Sequence, residues 1–139
     1  MALLWCCSGA CNNSKNAAAH SSYDYIIDKY WRLVEINGTT VTPQMWNREP
    51  HLRLQVTENT VVGNSGCNAY FGSYALKGGD RVEFSNIGAT KMACPNMDIE
   101  SRLFKALEAT GNLVLVNDTL HMKDAGGALL ARFVESVVK

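Results

Sequence analysis

Several signatures that fix function are missing from this chain, and each absence excludes a class. Thirteen basic and thirteen acidic residues cancel, and neither sign forms a long run. That leaves no electrostatic footprint for nucleic acid or for an anionic membrane surface. No stretch reaches the roughly 18 apolar residues that a spanning helix needs. There is no Gly-x-Ser-x-Gly elbow, no Gly-rich phosphate loop ending in Gly-Lys-Ser/Thr and no His-Glu-x-x-His helix, so serine hydrolases, P-loop enzymes and zinc peptidases find no support. Cys-x-x-Cys is also absent, and the three histidines do not accompany the cysteines at ligand spacing, which leaves metal binding the weaker option. No cofactor is expected.

What is present is an ordinary globular composition, 47% hydrophobic and 19% charged over 139 residues, a length that suits one core. Composition shifts once. Residues 1–11 form a short apolar run that closes on Ser8-Gly9-Ala10-Cys11, as the end of an export signal does. Small residues ahead of Cys11 resemble a bacterial lipobox, although Ser8 stands where an aliphatic residue is usual. Cys11 is therefore the expected acylation site, which would attach the protein to a membrane through a lipid anchor. Residues 12–24 are mostly small and polar, with little to bury, and read as a flexible tether. The folded domain is expected over 25–139.

Within that domain most segments alternate between apolar and polar residues and end on turn signals. Trp31 to Ile36 runs into Asn37-Gly38, Leu52 to Thr57 turns at Glu58-Asn59 into Thr60-Val61-Val62, and Ala69 to Leu76 is punctuated by Lys77-Gly78-Gly79-Asp80 before Arg81 to Ser85. Three further strands, near 113–116, 119–122 and 128–134, close the chain. One helix interrupts them. Pro95-Asn96 can start it, Ile99, Leu103, Phe104 and Leu107 share a face, and Gly111 can stop it in a left-handed conformation. Asp98 and Glu100 fall in its first turn, where carboxylates favour the positive end of the helix dipole. The expected architecture is mainly β (α+β): an antiparallel meander, a small barrel or strongly curved sheet, with one helix packed on it.

The densest motif is Gly63-Asn64-Ser65-Gly66-Cys67-Asn68 followed by Thr90-Lys91-Met92-Ala93-Cys94 and the helix. With Trp31, the Asn37-Gly38 turn, Tyr70, Gly72-Ser73-Tyr74 and Glu100, this resembles the META domain, also called HslJ-like, over roughly residues 30–135. The resemblance implies a lipocalin-like barrel topology and a bacterial envelope setting, an outer-membrane lipoprotein or a periplasmic protein. It also implies a link to heat-shock or novobiocin-resistance phenotypes, and no catalytic activity.

Cys67 and Cys94 sit in turns that flank a three-strand stretch, and an exported domain meets an oxidising compartment, so a disulfide is expected between them. The alternative is a pair of buried thiols. A cysteine nucleophile paired with His51 or His121 has no local support: His121 should face solvent between Leu120 and Met122, His51 should lie in a loop after Pro50, and His20 lies in the tether. Trp46, Asn64, Ser65, Asn68 and Tyr70 form the candidate binding surface, mixing aromatics with amides and a hydroxyl. Trp46, in a proline-bounded loop, is the member most expected to be exposed. The competing reading assigns the aromatics to the core and the amides to turns. Two functions follow: a non-enzymatic envelope lipoprotein domain, or a lipocalin-like module that binds a small apolar ligand or an envelope protein, in either case as a monomer.

Overall fold

A computed structural model describes residues 22–136. Cys11, residues 1–11 and most of the expected tether lie outside these residues. The end of the tether belongs to the domain: Ser22–Tyr25 form a 3-10 turn, and Tyr23 is 2% exposed in the core with Ile26. A large aromatic ring two residues before the expected boundary gives that turn something to bury, which the small polar residues ahead of it lack.

Nine strands follow: β1 (Tyr30–Ile36), β2 (Thr39–Thr40), β3 (His51–Gln55), β4 (Thr60–Asn64), β5 (Ala69–Gly78), β6 (Arg81–Ala89), β7 (Thr110–Val116), β8 (Thr119–Asp124) and β9 (Leu129–Ser136). The one α-helix among the described residues, α1 (Asp98–Ala109), stands between β6 and β7. Neighbours pair antiparallel in the order β9-β8-β7-β6-β5-β4-β3-β1-β2, and β9 also pairs with β1 from Ala131↔Ile36 to Ser136↔Tyr30. All strands but the two-residue β2 thus form a closed eight-stranded barrel, the meander the alternation predicts. Closure removes the free edges of an open sheet at that seam.

The tight turns follow their sequence signals. Asn37 and Gly38 both take positive φ (49° and 80°), as do Asn117 and Asp118 (49° and 67°), the conformation that two-residue hairpins require. At the expected Glu58-Asn59 turn both residues again have positive φ, 52° and 50°. β6 runs past the expected Ser85 to Ala89, because Asn86 at φ 55° absorbs an irregularity and the ladder with β5 resumes at Phe71↔Gly88.

The helix differs from expectation at both ends. It begins at Asp98, whose amide donates to Asn96 Oδ1 (3.0 Å). It ends at Ala109 without a left-handed glycine. Thr110 is extended, its amide donating to the Leu107 carbonyl and its hydroxyl to the Ala106 carbonyl (2.6 Å), so late carbonyls are satisfied while the chain turns straight into β7. Gly111 lies within β7 for a different reason: a Cβ there would sit 2.7 Å from the backbone of Ala125.

The barrel is filled. Trp31, Leu33, Leu52, Leu54, Tyr70, Leu113, Leu120, Met122 and Phe133 point inward and are at most 2% exposed, and α1 adds Ile99, Leu103, Ala106 and Leu107 to the same core. Side chains this covered leave no water-sized void beside them, as expected for a barrel of eight strands. The indole of Trp31 donates to the Ile26 carbonyl (2.9 Å), so the largest core side chain also fixes the entry turn. Tyr70 and Tyr74 reach across β4 to donate to the carbonyls of His51 (2.8 Å) and Gln55 (3.0 Å) on β3. Gly63 makes the first of these possible, since a Cβ there would sit 2.6 Å from the Tyr70 hydroxyl and collide with the His51 carbonyl.

Candidate functional site

The densest motif of the sequence collects around one turn. Asn64 to Asn68 links β4 to β5, and Asn64 Oδ1 accepts from the Gly66 amide (2.8 Å) while the Ser65 amide donates to the Asn68 carbonyl (2.9 Å). Gly66 takes φ 107°, a conformation a side chain rarely tolerates. The turn then meets the first turn of α1. Glu100 Oε1 accepts from the Ser65 hydroxyl (2.6 Å), the Asn68 amide (3.0 Å) and Asn68 Nδ2 (3.1 Å), and Oε2 lies 3.0 Å from the same Nδ2. Ser65 Oγ also lies 3.0 Å from the Asn68 carbonyl; its single proton serves the nearer, charged acceptor.

Asn68 carries the network onward to the segment before the helix. Its Oδ1 accepts from the Met92 amide (2.6 Å) and the Thr90 hydroxyl (2.8 Å), and its Nδ2 donates to the Met92 carbonyl (3.1 Å). Beside these bonds Cys67 and Cys94 form a disulfide, with Cα atoms 6.1 Å apart and a sequence separation of 27. The expected staple is therefore present, and polar bonds parallel to it tie the same two segments.

The five residues expected as a binding surface are brought together, but mostly inside. Ser65 is fully buried, Asn68 and Tyr70 are 1% exposed and Asn64 is 8% exposed. The physical reason is that their polar atoms are consumed by the turn, by Glu100 and by the β3 backbone, leaving little to offer a ligand. Burial pushes the Tyr70 hydroxyl far above the ordinary phenol range, and its ring meets Phe104 edge-on at 6.1 Å. Trp46 is half-buried rather than exposed: its Cβ lies 3.6 Å from the place a Gly66 Cβ would occupy, and the next two amides, of Asn47 and Arg48, donate to the Gly66 carbonyl (2.9 and 3.1 Å). A shallow cleft of about 320 Å³ remains above the disulfide, lined by Arg48, Asn64, Cys67, Ala69, Thr90 and Met92.

Glu100 is the residue that sequence reasoning underread. It shares the buried stripe with Leu103 and Leu107, at helical spacing, which is a signal for an inward carboxylate that the dipole argument passed over. His51 is likewise misplaced by its proline neighbour. It opens β3 and stacks on Tyr30, with ring centroids 4.3 Å apart and planes at 18°, and its Nδ1 lies 3.1 Å from the Glu49 carbonyl. Burial lowers its pKa, with Arg53 adding to the effect and Glu49 opposing it. The Tyr30 hydroxyl is pushed up to about 12, first by burial and then by its bond to Glu49 (2.9 Å). His121 stands on the outer wall between buried Leu120 and Met122, as expected. Neither histidine adjoins the disulfide in its hydrogen bonds or ring contacts, and no group of three or more metal-ligating side chains occurs among the described residues.

Fold and site together define a small, filled, antiparallel barrel capped by one helix and held shut by a disulfide and a buried carboxylate. The META domain model matches residues 24–137, and the chain belongs to the META domain family. Among solved structures it is similar to a protein from Burkholderia xenovorans determined by NMR, 28% identical with a TM-score of 0.63, over 84% of this chain and 88% of that one. A second NMR structure is 18% identical with a TM-score of 0.62, over 80% and 92% of the two chains. A crystal structure of a DUF4847 family protein from Bacteroides vulgatus is 14% identical with a TM-score of 0.59, over 86% and 100%; these last two likenesses concern the fold alone. Comparison with the curated proteins gives no match.

Proposed function

We propose that this chain is a non-catalytic META barrel of a bacterial cell envelope, held at the membrane through an acylated Cys11, which contributes to stress or drug tolerance through its outer surface. The observation that carries the reading is the Cys67–Cys94 disulfide, since such bridges persist in oxidising compartments and are rare in the cytosol. Two features agree with it. The disulfide consumes the two cysteines of the described fold, which leaves nucleophilic thiol chemistry without a reagent there. The filled interior leaves a lipocalin-like carrier without an obvious internal berth, so recognition falls to the outer wall.

The test is to express the chain with a complete export signal, fractionate the cells, and measure intact mass with and without reductant and an alkylating agent. Cleavage before Cys11, added acyl chains, and Cys67 and Cys94 protected until reduction are the expected results. A soluble, unacylated chain with both cysteines alkylated at once would sink the anchor and the oxidising compartment together. Deletion of the gene is expected to raise novobiocin sensitivity, and restoration of the barrel without its anchor to leave that sensitivity in place.

A further inference from the structure

We propose that the cleft above the disulfide binds a small aromatic carboxylate, its charge held by Arg48 and Asn64 and its ring lying against Met92 and Phe71. This supplies a ligand class for the outer wall; it rests on the reading that recognition falls there, and does not need the lipid anchor. The cleft begins with a donor that the fold leaves unspent. Val61 is buried in the core and a Cβ at Gly63 would meet the Tyr70 hydroxyl, so alternation along β4 puts Asn64 on the outer face. The Gly66 amide donates to Asn64 Oδ1 (2.8 Å), which fixes the carboxamide the other way round with Nδ2 left over. That Nδ2 has no hydrogen-bond partner among the described residues, although Asn64 is only 8% exposed and lines the cleft. A carboxamide this covered ordinarily has both ends partnered; an acceptor seated in the cleft completes it.

Charge selects the acceptor. Arg48 lines the same cleft, is exposed, and has no salt bridge among the described residues. Its backbone is held in place, with its amide donating to the Gly66 carbonyl (3.1 Å). No carboxylate lines the cleft. The adjacent acid, Glu49, already accepts from the Tyr30 hydroxyl (2.9 Å) and lies 3.8 Å from Arg32. Glu100 stands behind the turn with its oxygens spent on Ser65 and Asn68. A free guanidinium beside a free amide N–H suits a planar carboxylate, which accepts from both at once.

The rest of the cleft selects the ring. Ala69 and Met92 line it, and the Met92 backbone is gripped by Asn68 at 2.6 and 3.1 Å beside the Cys67–Cys94 bridge. That wall is therefore in place before a ligand arrives, which lowers the cost of ordering it. Phe71 follows Ala69 on the same face of β5, about 7 Å further along at ~3.3 Å per strand residue. Its ring covers Gly88, where a Cβ would lie 2.8 Å from it. Met92 and Phe71 are 47% and 53% exposed, so a thioether and an aromatic ring border the anion-binding end, and both pack well against a ligand ring. The volume of about 320 Å³ falls at the small end of ligand clefts and suits one or two fused rings.

The experiment titrates the full, oxidised chain with 2-naphthoate, followed by two-dimensional amide NMR, with 2-naphthylmethanol as the uncharged ring and acetate as the charge without a ring. Saturable binding of 2-naphthoate is expected, shifting the Asn64 side-chain amide and the backbone amides of Phe71 and Met92, with both controls weaker by about tenfold or more. Arg48→Gln, an exposed change, is expected to weaken binding about tenfold, and Phe71→Ala about fivefold. Asn64→Asp keeps an oxygen for the Gly66 amide and is expected to abolish binding; should it fail to fold, the two exposed variants carry the test. No saturable binding, equal binding of the alcohol, shifts confined to another face, or indifference to both Arg48→Gln and Phe71→Ala would overturn the proposal. So would cosedimentation with phosphatidylglycerol vesicles, lost in those two variants, without any response to 2-naphthoate, which would mean that the face meets a lipid surface. The mass and fractionation results above stand or fall independently of these.

Discussion

Disturbing Glu100 should cost more than its place on the helix surface pattern suggests. Its two oxygens satisfy a hydroxyl, a backbone amide and a side-chain amide that are all buried. Glu100→Ala strands those donors, and urea unfolding is expected to show a loss of about 3 kcal/mol. His51 makes the stability depend on pH. An unfolded imidazole titrates near ~6.5, and burial holds the folded His51 below its usual value. As pH falls, the unfolded chain binds the proton first, so stability present above about 6.5 declines as pH drops toward the folded pKa. His51→Phe, which keeps a ring against Tyr30, is expected to flatten part of that slope in denaturation curves taken from pH 7.5 to 5. The rest of the slope should survive, because His121 is lowered too, by burial and then by Lys123 and Arg132. Little of this was legible beforehand: a sequence shows that Glu100 and His51 exist, not that distant residues will bury them.

At the scale of elements, turn chemistry and alternation carried most of the reading, and close approach carried the rest. Asn37-Gly38 and Asn117-Asp118 announce their hairpins because positive φ has few residues willing to adopt it. The end of α1 was not legible in that way, since Thr110 closes the helix through its own hydroxyl and Gly111 serves Ala125 instead. The candidate surface went inside for a similar reason: Asn64 serves its own turn through the Gly66 amide, while Ser65 and Asn68 meet Glu100, Thr90 and Met92 from more than 20 residues along the chain. Removing the bridge with Cys67→Ala and Cys94→Ala frees a loop of 27 residues and is expected to cost about 3.5 kcal/mol in the chain-entropy account. Far-UV circular dichroism should be unchanged, because Asn68 still grips Thr90 and Met92. Adding Asn68→Ala to that pair should cost more than either change predicts alone, since both tie the same two segments.

For the molecule as a whole, a packed interior predicts that making room will create binding where none is expected. Phe133 is fully buried, and Phe133→Ala should cost about 3–5 kcal/mol while opening a cavity. A small apolar dye titrated by fluorescence is expected to saturate on that variant and to show no saturable binding to the parent barrel's interior. The barrel itself was within reach of the sequence, because short alternating strands with frequent turns leave few other architectures. Which strands would close it was not.

That closure has a temporal side. The seam between β1 and β9 joins the beginning of the domain to its end, with Arg132 Nε donating to Glu35 Oε1 (2.9 Å) across a separation of 97 residues. Contacts so distant along the chain slow folding, since a long loop must be ordered before they reward it. A chain emerging N-terminus first can form its central hairpins early, yet its first strand waits for the last. The barrel is thus a structure that cannot finish before the synthesis of its last strand has finished.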